Sequence, residues 1–106
     1  MLPDLRDATS ATEVNNALIL QKEAVLELVH YDELQKAKNL LDLLDPLWSA
    51  LGYAYKAMEA RATIKDRAEE MIANDEEAMK KVRRNTEFWR DTNRRMLELK
   101  DLVRVL

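Results

Sequence analysis

The near absence of glycine and proline is the sequence feature that most constrains the fold of this chain. One glycine and two prolines occur in 106 residues. Sharp turns depend on these residues, so a fold made of hairpins and short strands is strongly disfavoured. Apolar residues make up 47% of the chain, which is enough to offset the entropy of ordering a core. We therefore predict an all-α fold, an antiparallel bundle of about four helices with a long C-terminal helical hairpin.

The prediction assigns the chain to one helical domain over residues 1–106, with a short lead-in at residues 1–9. Ser10 and Glu13 have the spacing of a capping box, which predicts a first helix from about residue 11 to residue 30. Asp32 is the predicted cap of a second helix. The predicted buried face of that second helix consists of Leu34, Ala37, Leu41 and Leu44.

Asp45 and Pro46 predict a boundary between a second and a third helix. The residue before a proline is disfavoured in the α region, and proline is favoured at the first position of a new helix. One kinked helix through both residues is the alternative. The predicted apolar face of the third helix consists of Leu47, Leu51, Tyr55, Met58 and Ala62.

The last predicted helix spans residues 75–105, behind a capping box at residues 74–77. Its apolar and small polar residues recur at alternating steps of three and four, which is typical of a coiled-coil seam. This helix is longer than its predicted neighbours and ends on apolar side chains without a cap. Its seam is therefore a candidate protein interface, carried by Trp89, Met96, Val103 and Leu106. An ordinary helix end that packs against the first helix is the alternative.

One stretch resembles a known repeat family. Trp48, Leu51, Gly52 and Tyr55 have the spacing of the first helix of a tetratricopeptide repeat. Residues 31–46, which include Ala37 and end in Leu-Asp-Pro, are similar to the second helix of a preceding repeat. The resemblance covers about residues 31–55 and implies a pair of helices that binds a peptide or a partner protein. It also implies that Gly52 and Ala54 allow a neighbouring backbone to approach closely.

Charge is distributed unevenly along the chain. The net charge is −3, and seven of the nine charged residues within 80–95 are basic. This basic run predicts a candidate anion-binding face, carried by Arg83, Arg84, Arg90 and Arg94, for nucleic acid or an anionic surface. Glu87 and Asp91 lie within the same run at helical pairing distances, which instead favours a solvated, self-neutralising helix face.

Residues with the chemistry of catalysis or metal binding are few. Cysteine is absent, and His30 is the only histidine. Glu27 and His30 have the spacing of half a di-iron site, but a second histidine is missing and both lie on the polar arc of the first helix. Two adjacent carboxylate pairs, Glu69-Glu70 and Glu76-Glu77, lie in polar contexts that are typical of solubilising charges. We expect no enzyme activity, no metal and no cofactor.

The first residues show no secretory signal, and no apolar stretch approaches the length of a membrane span, so a cytoplasmic location is expected. We predict an interaction or assembly scaffold that acts through packed amphipathic helices, with a protein partner or a homo-oligomer and no nucleic acid. The alternative is a binder of nucleic acid or an anionic surface through residues 80–95.

Overall fold

The computed structural model describes residues 10–106, so the predicted lead-in at 1–9 lies outside the described residues. The described chain is all-α and 88% helical, as predicted, and contains no strand. Its elements follow in the order α1 (Ala11–His30), α2 (Leu34–Ala50), α3 (Ala54–Lys81) and α4 (Thr86–Val105).

Backbone contacts divide the chain into two compact units. The first unit covers residues 1–64 and contains α1, α2 and the beginning of α3. The second unit covers residues 65–106 and contains the remainder of α3 and all of α4. The assignment of the whole chain to one domain stays a prediction.

Helix α1 begins and ends by local mechanisms. The Ser10 hydroxyl accepts a hydrogen bond from the Glu13 amide at 3.2 Å, so the predicted cap is confirmed. The helix ends where Asp32 adopts a left-handed conformation with φ +59°. The amides of Asp32 and Glu33 then donate to the carbonyls of Val29 and Leu28, which satisfies two free carbonyls of the last turn. The predicted cap of α2, Asp32, is wrong. Glu33 occupies the cap position.

Helix α2 continues through Pro46, so the predicted break between Asp45 and Pro46 is wrong and the kinked-helix alternative is nearer to the structure. A proline inside a helix loses one backbone hydrogen bond and costs about 3 kcal/mol. Continuation places Leu44 and Trp48, which are one turn apart, on the same buried face. Burial of each such side chain contributes about 1.5–3 kcal/mol, which offsets the cost of the proline.

The core of the first unit forms between α1 and α2. The indole Nε1 of Trp48 donates a hydrogen bond to Oε1 of Gln21 at 2.9 Å, and both side chains are buried. The predicted buried face of α2 is confirmed. The buried apolar side chains of the two helices are Ala17, Leu18, Val25, Val29, Leu34, Ala37, Leu41, Leu44 and Trp48.

Two ion pairs join these helices to the beginning of α3. Lys22 of α1 pairs with Glu59, and Asp45 of α2 accepts a hydrogen bond from the Arg61 guanidinium. That hydrogen bond, together with one from the Ser49 hydroxyl, lowers the pKa of the Asp45 carboxyl. On α3 the side that becomes buried consists of Ala57, Ala60 and Ile64. The apolar face that was predicted for the third helix is wrong, because four of its five residues are exposed: Leu51, Tyr55, Met58 and Ala62.

Gly52 ends α2 through its backbone conformation, with φ +84°. The Tyr53 amide donates to the Trp48 carbonyl at 2.7 Å and the Gly52 amide donates to the Ser49 carbonyl at 3.1 Å. A Cβ placed on Gly52 would meet nothing within 4 Å, so no neighbouring backbone requires the glycine. The four residues of the tetratricopeptide-like motif are divided between α2, the turn and α3, and membership of that family stays a prediction.

In the second unit, α3 runs without interruption past residues 74–77, so the capping box predicted there is wrong. The long helix predicted over 75–105 is instead two helices joined by a turn at residues 82–85. Asn85 begins α4, since its side-chain oxygen accepts a hydrogen bond from the Phe88 amide at 3.0 Å. The predicted C-terminal helical hairpin is present, with its turn about one third of the way along the predicted last helix.

The side chains that hold this hairpin together lie on one face of each helix. The buried carboxylate of Asp75 accepts two hydrogen bonds from the Arg95 guanidinium, one of them from Nε at 2.8 Å. Paired bonds of this kind fix orientation as well as distance. The other buried residues of this unit are Ala68, Met79, Thr92, Met96, Leu99 and Leu102.

Candidate protein-interaction site

Trp89 is placed by the start of α4. The Asn85 cap sets the direction of the first turn, in which Phe88 is half-buried and Trp89 lies on the flank of the hairpin. The Trp89 side chain remains 44% exposed. A large aromatic ring that is left this accessible is a common anchor in protein interfaces.

An apolar groove of about 430 Å³ lies beside the Trp89 ring. Met79 of α3 and Met96 of α4 form its floor, and both are buried. Methionine side chains are flexible and polarisable, so such a floor can adapt to different apolar groups. The charged residues that line the groove are Glu76, Lys80 and Arg83.

A second cleft of about 440 Å³ is also lined by Trp89. Arg83 and Arg90 line it together with the polar side chains of Thr86 and Asn93. Trp89 and Arg83 therefore line both clefts. A partner that covers the ring in either cleft also meets a guanidinium group.

The basic residues around this ring are gathered by the turn and do not form one helical face. Lys80 and Lys81 end α3, whereas Arg83 and Arg84 lie in the turn that follows. Residues 80–86 line an open cleft of about 680 Å³ at this end of the hairpin. We call Lys80, Lys81, Arg83, Arg84, Trp89 and Arg90 the basic tip.

Only part of the charge pairing predicted within residues 80–95 is present. Arg94 donates to Asp91 at 3.3 Å, as the spacing predicted. Arg95 instead pairs across the hairpin with Asp75. Within residues 10–106, no ion pair is found for Arg83, Arg84 or Arg90, which leaves the tip with uncompensated positive charge.

The four residues of the predicted interface have different environments. Trp89 and Met96 line the same groove, Trp89 as its exposed wall and Met96 as its buried floor. Val103 and Leu106 are half-buried and lie about 10 and 15 Å further along the helix axis from Met96, at ~1.5 Å per residue. These two do not line the groove. The face of α4 that packs against α3 contains Thr92, Leu99 and Leu102, which the predicted seam omitted.

The buried face of α4 differs from the predicted seam because the seam assumes one continuous helix through residues 82–85. A usable signal was present: Asn85 is a favoured helix cap, and Glu87 follows it in the first turn, where the helix dipole favours a carboxylate. If α4 begins after Asn85, helical spacing from Phe88 and Thr92 predicts which of its residues face α3. Arg83, which lines both clefts beside Trp89, was predicted only as an anion-binding residue.

A further cleft, of about 390 Å³, lies on the hairpin of α1 and α2 and was not predicted. Leu28 and Leu40 line it between the two helices, and Tyr31 is 67% exposed at its end. The two carboxylate side chains that line it belong to Glu27 and Glu33. We call Ala24, Glu27, Leu28, Tyr31, Glu33 and Leu40 the acidic cleft.

The pairs considered for metal or acid–base chemistry lie on the surface. Glu27 and His30 are exposed, and the His30 ring makes an edge-to-face contact with Tyr31 at 5.2 Å between centroids. Glu70 pairs with Arg67 and Glu76 lies 3.8 Å from Lys100. Among the residues that the structure describes, no group of three histidine, aspartate or glutamate side chains is arranged to hold a metal ion.

Comparison of the chain with protein-family models, curated proteins and solved structures gave no match. None of the helices within residues 10–106 combines the length and the apolar character needed to cross a membrane.

Proposed function

We propose that this chain is a protein-interaction or assembly module that docks an apolar, acidic segment of a protein on the basic tip. The observation that carries the proposal is the position of Trp89, exposed beside a groove floored by Met79 and Met96. The exposed ring and the methionine floor offer a partner apolar area to bury. That burial supplies affinity in most protein associations.

The charges beside the ring define the chemistry of the partner. Arg83 and Arg90 flank Trp89 and have no ion pair among the described residues. Complementary charge steers encounter and excludes partners of like charge. A partner helix with leucine-like side chains on one face and carboxylates beside them matches this surface, whereas a basic helix is repelled.

A binding titration with defined peptides tests the proposal. The probe is a synthetic amphipathic helix with leucines on one face and glutamates on the other, and its control carries lysines in place of the glutamates. We expect the acidic peptide to bind at least about tenfold more tightly, a difference of ~1.4 kcal/mol. Trp89 fluorescence reports binding, since Trp48 is fully buried in the other unit.

Two variants decide whether the basic tip is the docking surface. Trp89→Ala, followed by calorimetry, is expected to weaken the acidic peptide at least about tenfold. Leu97→Ala is the matched control, because Leu97 is 55% exposed on the same helix and lines no cleft beside Trp89. Equal affinity for the two peptides, or equal loss in the two variants, would contradict the proposal.

A second candidate function is the binding of a polyanion. The observation that favours it is the group of Lys80, Lys81, Arg83 and Arg84 at the turn, without ion pairs to Arg83 or Arg84 in the described chain. Glu87 and Asp91 oppose it, because both are exposed in the first turns of α4. We propose protein binding as the function and expect no DNA or RNA binding at physiological salt.

Titration of double-stranded DNA over a range of salt separates the two candidates. A polyanion binder loses affinity steeply as salt rises, because each neutralised phosphate releases counterions. Neutralising Arg83, Arg84, Arg90 and Arg94 together would then remove the binding. Micromolar DNA affinity at physiological salt that this fourfold variant lacks would promote the second candidate. A cytoplasmic location is proposed with either function.

A further inference from the structure

Within residues 10–64, an apolar surface along α1 and α2 is left partly exposed. Along α1, Leu20, Ala24 and Leu28 follow one another at steps of four residues, and Leu20 is 50% exposed. At this spacing the three side chains share one flank of the helix. Tyr31 continues that flank at the end of α1 and is 67% exposed.

Helix α2 carries a matching flank. Leu40, Leu43 and Leu47 recur at steps of three and four residues, and Leu43 is 72% exposed. Leu28 and Leu40 line the acidic cleft together, so the flanks of the two helices meet there. An exposed apolar patch that runs along two helices is unusual on a protein with no partner.

This patch lies away from the side on which α3 packs. The beginning of α3 is held by Lys22 of α1 and by Asp45 of α2, through ion pairs to its own side chains. At about 100° per residue, Leu20 and Ala24 each lie about 160° from Lys22 around the axis of α1. Leu43 lies about 160° from Asp45 around the axis of α2 on the same measure. The contacts with α3 therefore leave both flanks accessible.

The charge beside the patch is opposite to that of the basic tip. Glu27 and Glu33 line the acidic cleft; Glu33 pairs with Lys36, whereas no ion pair is found for Glu27 in the described residues. Residues 1–64 contain six basic and ten acidic side chains, and residues 65–106 contain eleven basic and ten acidic. The chain thus presents two apolar surfaces of opposite charge, one in each unit.

We propose that the basic tip of one copy of this chain docks in the acidic cleft of a second copy, head to tail. Trp89 covers the apolar wall formed by Leu28, Leu40 and Tyr31, and the guanidinium groups of Arg83 and Arg90 meet the carboxylates at its edge. The inference rests on the proposed function, because it assigns the basic tip a partner. This contact joins two different surfaces, so the assembly is a ring if the rotation between copies closes and a growing chain if it does not.

Two variants test the proposal through complementation. The tip variant combines Arg83→Glu with Trp89→Ala, and the cleft variant combines Glu27→Arg with Tyr31→Ala. All four side chains are exposed, so the substitutions leave the cores intact. We expect the parent mass, measured by light scattering, to rise with concentration. Each variant alone stays monomeric, and an equimolar mixture gives a 1:1 complex, because only one tip–cleft contact is intact.

Matched controls change equivalent groups elsewhere. Lys65→Glu with Leu97→Ala is the control for the tip variant, and Glu69→Arg with Met58→Ala is the control for the cleft variant. These side chains are also exposed, and they line neither the three clefts around the tip nor the acidic cleft. Both controls are expected to associate as the parent does, with unchanged helicity by circular dichroism.

Other outcomes overturn the head-to-tail contact. If the cleft variant still associates like the parent, the copies meet tip to tip. If the tip variant still associates like the parent, they meet cleft to cleft. A monomeric parent at every concentration also overturns the inference. In that case the peptide titration, which requires only the basic tip, still decides the proposed function separately.

Discussion

The buried indole of Trp48 and the buried amide of Gln21 are hydrogen-bonded at 2.9 Å, and this polar contact joins α1 to α2 inside an otherwise apolar core. It fixes the register of the two helices, since the two groups can meet at only one relative translation. A polar pair in such a place is costly to break on one side and less costly to remove on both.

A double-mutant cycle at these residues is expected to be strongly non-additive. Gln21→Leu leaves the indole N–H without its acceptor, and Trp48→Phe leaves the amide oxygen without this donor. Each change should lower the free energy of unfolding by about 1–3 kcal/mol or more. The double variant should lose less than the sum, with a coupling of about 0.5–3 kcal/mol. Urea titration gives the free energy of unfolding of the parent, the two single variants and the double variant. Additive losses would show that the contact itself contributes no stability.

Replacement of Pro46 is expected to stabilise the protein. Pro46 is exposed, lies inside α2 and cannot donate a backbone hydrogen bond. Pro46→Ala should restore that bond and raise the free energy of unfolding by about 1–3 kcal/mol. Thermal unfolding followed by circular dichroism measures the change. A lower melting temperature would mean that the packing of α2 depends on the proline.

The turn after α2 is expected to need glycine only for its backbone conformation. Gly52 has φ +84°, and nothing lies within 4 Å of a Cβ placed there. Gly52→Ala should therefore destabilise by about 1 kcal/mol through conformational strain alone. Gly52→Asn should cost less, because asparagine tolerates the left-handed region better. Equal costs for alanine and asparagine in urea titrations would argue against this explanation.

The Asp45 carboxylate is expected to make the free energy of unfolding depend on pH in the acid range. Hydrogen bonds from Arg61 and Ser49 lower its pKa in the folded protein, so folding favours the ionised form. The stability that it contributes is fully present above the unfolded pKa of about 4 and is lost as pH falls through the lower folded pKa. Asp45→Asn should be less stable than the parent at neutral pH, and the two curves should converge at low pH. A difference that stays constant from neutral pH down to acid denaturation would contradict this.

Much of the fold could be predicted from local sequence. The scarcity of glycine and proline predicted an all-α chain, and Ser10 predicted the start of α1. The spacing of Leu34, Leu41 and Leu44 predicted the buried face of α2. Each of these features acts within a few residues, through a cap or through helical periodicity, so the sequence alone was sufficient.

The errors arose where tertiary burial outweighed a local preference. The signal at Asp45-Pro46 is a real local cost, but the burial of Leu44 and Trp48 on one continued helix offsets it. Likewise the carboxylates after Asn74 are compatible with a helix start, yet Asp75 is buried in mid-helix because Arg95 pairs with it from α4.

The sequence by itself determined that this chain is helical and that apolar and basic residues lie close together near Trp89. Only the tertiary structure decided which of them share a surface. The turn at residues 82–85 sets the face of α4 that packs on α3, and this leaves Trp89 exposed above Met79 and Met96. The acidic cleft depends in the same way on the pairing of α1 with α2. A contact between distant residues is a property of packing, and periodicity along one helix does not encode it.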